Sequence, residues 1–110
     1  MKKKKKAMIS QPMWGRTEEE ILFIRKKATE ELEKLGYEVV DSFFTREWVN
    51  ENSKGIKNKA LWCLGKSIEI MSQCDAVYFV YGWHRARGCR IERGVAKVYG
   101  LSILEDTQKN

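Results

Sequence analysis

The stretch that most narrows how this chain can fold is Ala76-Val77-Tyr78-Phe79-Val80-Tyr81, together with the turn at its carboxyl end. Six apolar and aromatic residues without a charge predict a strand buried on both faces, as in a parallel sheet covered by helices. A glycine-flanked, arginine-rich turn, Gly82-Trp83-His84-Arg85-Ala86-Arg87-Gly88, then leads into a helix expected from Cys89 to Tyr99 and ended by Gly100. Ligands of open parallel sheets sit at the carboxyl ends of the strands, where helix N-termini supply N–H groups and positive potential for an anion. Arg85, Arg87, Arg90 and Arg93 add charge to the same corner, and Glu92 is a carboxylate set among those cations. The helix dipole alone also favours an acidic residue in a first turn, so Glu92 is open to a purely structural account at this point.

The remainder of the chain repeats the alternation. Ala7-Met8-Ile9-Ser10 reads as a short buried strand stopped by Gln11-Pro12. Thr17-Glu18-Glu19-Glu20 is a capping box, and Ile21, Ile24, Ala28, Leu32 and Leu35 recur at helical spacing up to Gly36. Tyr37 to Asp41 is the second strand, which completes a right-handed βαβ unit. From Ser42 to Lys59 the sequence is polar and irregular, with Phe43, Phe44 and Trp48 scattered through it, and is expected to be a long loop or lid. A helix is expected from about Ala60 to Gln73, and Leu101-Ser102-Ile103-Leu104 is a last strand. These elements predict an α/β, flavodoxin-like three-layer sandwich around a parallel sheet of four to five strands in the order 2-1-3-4.

Length and charge limit what such a fold serves. At 110 residues the chain is expected to be a disordered lysine tail over residues 1–6 and one domain over residues 7–110. The net charge of +6 is concentrated in Lys2 to Lys6; the other 16 basic residues face 15 acidic ones. The body is therefore nearly neutral, and nucleic acid is not the expected partner despite the lysine run. No apolar run approaches the roughly 20 residues of a membrane span, and the amino terminus lacks the apolar stretch of a secretion signal. Cys63, Cys74 and Cys89 are odd in number and lack paired zinc spacing, so reduced thiols and a cytoplasmic location are expected, with no membrane partner.

The nucleotide signatures Gly-x-Gly-x-x-Gly and Gly-Lys-Ser/Thr are absent, and the single histidine, His84, makes no metal site alone. No cofactor or metal is therefore expected. Three segments together carry a resemblance: Ser10-Gln11-Pro12-Met13-Trp14-Gly15, Cys74-Asp75-Ala76-Val77, and Ala86-x-Gly88-x-x-x-Glu92-x-Gly94-x-Ala96. In order and spacing they resemble the nucleoside 2-deoxyribosyltransferase superfamily, and most closely its small, largely uncharacterised branch, a domain-of-unknown-function type related to deoxynucleoside monophosphate N-glycosidases. The resemblance spans nearly the whole chain after the lysine tail. It implies an N-glycosidase or deoxyribosyltransferase acting on a nucleoside or nucleoside monophosphate, assembled as a homo-oligomer.

On that resemblance Glu92 matches the nucleophile, and Asp75 the aspartate that handles the base or its proton. An oxocarbenium-like transition state is served by such a carboxylate. Beside arginines Glu92 is expected to stay ionised. The implied binding residues are Ser10, Gln11, Met13, Trp14 and Gly15 in the first loop, Asp41 at the end of the second strand, and Trp83, Arg87, Gly88 and Arg90 around the arginine-rich turn. Trp14 and Trp83 are placed either to stack on a base or to cap the edge of the core. Two departures stand out. Ala86 replaces the aspartate or serine that binds sugar or phosphate in the relatives, and the first loop has no tyrosine. Arg87 or Arg90 can substitute as a phosphate ligand, because guanidinium binds phosphate bidentately. The same departures suit a non-catalytic nucleotide-binding module, a sensor or a sequestering protein.

Overall fold

The computed structural model describes residues 3–106. Four parallel strands, β1 (Lys6–Ser10), β2 (Glu38–Val39), β3 (Ala76–Phe79) and β4 (Ser102–Glu105), form one sheet in the order β2-β1-β3-β4. The register sets Met8 against Val77 and Val77 against Ile103. Helices α1 (Glu18–Lys34), α2 (Arg46–Asn52), α3 (Lys59–Met71) and α4 (Arg87–Val98) complete the flavodoxin-like α/β architecture expected from the sequence.

Strand alternation divides the apolar residues into two cores. Ala7, Ile9, Ala76, Tyr78 and Val80 pack on Ile24, Ala28 and Leu32 of α1. Met8, Val77 and Phe79 point the other way, toward Met71 at the end of α3 and Ala96 of α4. Each strand thus contributes side chains to both faces, which is why β3 reads as an unbroken apolar run.

Local chemistry fixes the helix ends. The Thr17 hydroxyl accepts from the Glu20 N–H at 3.1 Å, and the Glu20 carboxylate accepts from the Thr17 N–H at 3.2 Å, the capping box expected at this position. At the other end, Tyr37 N–H donates to the Leu32 carbonyl and Gly36 N–H to that of Glu33. That closing motif needs a left-handed residue, supplied by Gly36 at φ 89°.

Two expectations change. The segment from Ser42 to Lys59 is not irregular throughout, because the Thr45 hydroxyl caps α2 by accepting from Trp48 N–H at 3.1 Å. The Arg46 N–H is also taken by Glu18 of α1 at 2.9 Å. Seven residues are too few to show a helical period, so only the cap marks this helix. The lysine tail is also shorter than expected: Lys6 opens β1, and the Lys5 carbonyl accepts from Glu38 N–H at 2.8 Å. Residues 1 and 2 lie outside the described residues.

Candidate functional site

Beyond the carboxyl ends of β1 and β3 lies a cavity of about 540 Å³, large enough for a mononucleotide-sized ligand. It is walled by the loop after β1, the segment from Ser42 through α2, the inner face of α3, and the first turns of α4. Glu92 lies at its base, only 7% exposed. Ser10 is the last residue of β1, and alternation turns its side chain toward α4, where its hydroxyl donates to Glu92 Oε1 at 2.7 Å.

The environment of Glu92 differs from the expectation. It sits in the second turn of α4, and the arginines nearest in sequence leave it alone. Burial pushes its carboxyl above the ordinary carboxylate range, and the hydroxyls of Ser10 and Ser67 and the charge of Arg25 oppose that rise. Its counter-charge thus comes from α1. Of the four arginines around Gly88, Arg85 and Arg87 border the cavity. Arg90 donates to the His84 carbonyl at 2.9 Å and ties α4 to the short 3₁₀ turn Trp83–Arg85. Arg93 pairs with Glu105 and lies 4.5 Å from the Trp83 ring centroid.

Ser10, Gln11, Met13, Trp14, Arg87, Gly88 and Glu92 are brought together around the cavity; Gly15, Asp41, Trp83, Arg90 and Asp75 are not. Trp14 is 97% exposed at the rim, whereas Trp83 packs edge-on against Phe79 as a cap on the core. Asp41 accepts from Phe43 N–H at 2.9 Å and closes the turn after β2. Asp75 precedes β3, so it stands at the amino end of the sheet, where it accepts from Lys6 N–H at 2.8 Å. The length of β3 separates it from Glu92 by roughly 13 Å along the strand, and within one chain the two carboxylates do not form a pair.

Several residues at the cavity were not singled out from the sequence: Arg25, Ser42, Cys63, Ser67 and Cys89. Arg25 carried a signal, being a cation within the apolar stripe Ile21, Ile24, Ala28, Leu32. It is 7% exposed, donating from Nη1 to Ser42 Oγ at 3.3 Å and from Nη2 to the Ile9 carbonyl at 3.4 Å. Burial raises both cavity thiols, that of Cys89 to about 11, so neither is poised as a thiolate. Among the described residues no cluster of three His, Cys, Asp or Glu side chains is placed to hold a metal ion, and no helix is long and apolar enough to cross a membrane.

The start of α4 completes the cavity wall. Its N-cap, Ala86, makes no side-chain capping bond, so the helix offers its N-terminal amides beside Arg87 and Gly88 without a protein oxygen of its own to cap them. No curated protein and no solved structure matches the chain. A protein-family model matches residues 5–105, from the first strand to the last. The chain therefore belongs to the family described as domain of unknown function DUF4406.

Proposed function

We propose that the cavity binds a nucleoside or, preferentially, a nucleoside monophosphate, and that Glu92 attacks the anomeric carbon to break the N-glycosidic bond. The observation that carries this proposal is a single buried carboxylate at the base of a nucleotide-sized cavity, held by the Ser10 hydroxyl at 2.7 Å. The Glu92 oxygen forms a bond to C1′ as the C1′–N bond breaks with its electron pair on the base. No second carboxylate borders the cavity among the described residues, so the departing nitrogen takes its proton from water. Water then cleaves the glycosyl ester in a hydrolase, or a second base does so in a transferase. The uncapped start of α4 and the adjacent Arg87 favour the phosphorylated substrate.

Incubation with deoxynucleosides, ribonucleosides and their 5′-monophosphates, with released base measured chromatographically, tests the chemistry; added free base separates transfer from hydrolysis. The second reading, a non-catalytic nucleotide-binding module, is favoured by the lack of a carboxyl partner for Glu92 and by the side chain of Ala86, which binds neither sugar nor phosphate. Tight binding with the nucleotide recovered intact after long incubation decides for it. Homo-oligomerisation belongs to the same proposal and is supported by the end of α4, where Val98 and the cap residue Tyr99 are 80% and 79% exposed. Sedimentation at the 12.9 kDa monomer mass alone would remove it.

A further inference from the structure

Two buried polar atoms at the carboxyl end of β1 have no hydrogen-bond partner. One is Nε of Arg25, whose Nη atoms make only long bonds to Ser42 and the Ile9 carbonyl. No carboxylate oxygen lies within 4.0 Å of this guanidinium among the described residues. The other is Oε1 of Gln11, a residue 5% exposed. The Gln11 amide donates from Nε2 to the Ile21 carbonyl at 3.1 Å, so exchanging its oxygen and nitrogen would set two carbonyl oxygens against each other. Gln11 therefore keeps an unpaired acceptor and Arg25 an unpaired donor, both buried, on two side chains that line the cavity. An unpaired buried donor or acceptor costs on the order of 1–3 kcal/mol, and the charges of Asp41 and Glu92 act on the Arg25 guanidinium through space without taking its Nε–H.

We propose that Arg25 and Gln11 form a subsite for the vicinal diol of a ribose, so that the nucleotide held here is a ribonucleotide. This rests on the assignment of Glu92 to the anomeric carbon. A nucleophilic carboxylate approaches C1′ from the face opposite the base, so groups that flank Glu92 at the end of the same strand meet the sugar. Arg25 reaches that point from the α1 side of the sheet and Glu92 from the α4 side, with Ile9 and Ser10 between them. A phosphate or a carboxylate satisfies Arg25 but offers no proton to Gln11 Oε1. A hydroxyl both donates and accepts, and two adjacent hydroxyls match one free donor and one free acceptor. The 2′-oxygen, on the carbon next to C1′, is the one that a deoxyribose lacks.

Calorimetric titration of the full chain with the four ribonucleoside 5′-monophosphates and their 2′-deoxy counterparts tests this without requiring turnover. The expected result is a Kd about tenfold lower for the preferred ribonucleotide than for its deoxy form, one hydrogen bond's worth or ~1.4 kcal/mol. Arg25→Met and Gln11→Met each bring that ratio close to one. Arg25→Lys keeps the charge, loses the Nε–H and does the same, which covers the case in which the methionine variant folds poorly. Equal binding of both sugars by the native chain, or an undiminished ratio in a folded variant at either position, overturns the subsite and leaves the nucleotide reading standing. Absence of binding by every nucleotide overturns both.

Discussion

The two ends of the sheet each present a carboxylate, and the two stand in opposite surroundings. At the amino end, Asp75 is exposed and spends an oxygen on the Lys6 N–H at 2.8 Å, a bond that helps set β1 against β3. At the carboxyl end, Glu92 is buried, takes a hydroxyl instead of a backbone donor, and borders open volume. Water screens the first charge and leaves it an ordinary surface group. Burial raises the free energy of the second charge, and the proposed function draws on that cost to drive the ionised group toward an electron-poor carbon.

Substitutions at the two ends break or sharpen this contrast. Glu92→Ala is expected to lower base release by at least about a thousandfold, as loss of a covalent nucleophile does, with the circular dichroism spectrum unchanged; retained turnover would transfer the chemistry elsewhere. Ser10→Ala removes a hydrogen bond to a charged group, worth about 1.5–3 kcal/mol. It should slow base release at neutral pH by about tenfold or more and carry the acidic limb of the pH–rate profile upward, since the ionised carboxylate loses a donor.

A smaller effect appears in stability against pH. The folded protein holds the Glu92 proton at pH values where the unfolded chain has lost it, so stability falls as pH rises from the ordinary carboxylate range through the raised value. Glu92→Gln abolishes that fall, and its melting temperature should gain on the native protein across the same window; parallel melting curves at all pH values would contradict the buried setting. Ala86→Ser supplies the missing cap of α4 and should stabilise by about 0.5–1 kcal/mol in chemical denaturation. The smallest change is expected at the other end of the sheet. Asp75→Asn should cost less than about 1 kcal/mol and leave nucleotide binding and base release at the native level. Lost turnover in that variant would mean that Asp75 reaches a site from a second copy.

The fold was legible because its signals are local or periodic: the capping box at Thr17, the Gly36 stop, and the unbroken apolar run of β3. The site was legible only in part. Glu92 and the first loop follow from being at strand carboxyl ends, a rule of topology that sequence order reveals. Asp75 precedes the same strand whose far end opens on the cavity, so sequence order alone sets it at the amino end, and only the resemblance had tied it to the site. Arg25 was hidden by the convention that a cation in a helix faces solvent; its place among Ile21, Ile24 and Ala28 marks it as inward-facing. Ser42 and Ser67 are small polar residues on separate elements, and only the tertiary fold brings them to the cavity.

The aromatic stack beside the cavity has an optical consequence. Trp48 of α2 lies between Phe44 and Trp62 of α3, its ring centroid 5.0 Å from the first and 5.5 Å from the second. The two indoles are inclined by only 28°, close enough for their transitions to couple and give a paired band of opposite sign in the ultraviolet dichroism. Phe44 also borders the cavity, so a ligand that shifts the α2 segment changes the distance between these chromophores. The protein thus carries an intrinsic, label-free reporter on one wall of its cavity, and its signal can be followed during titration with ligands whose turnover is too slow to detect.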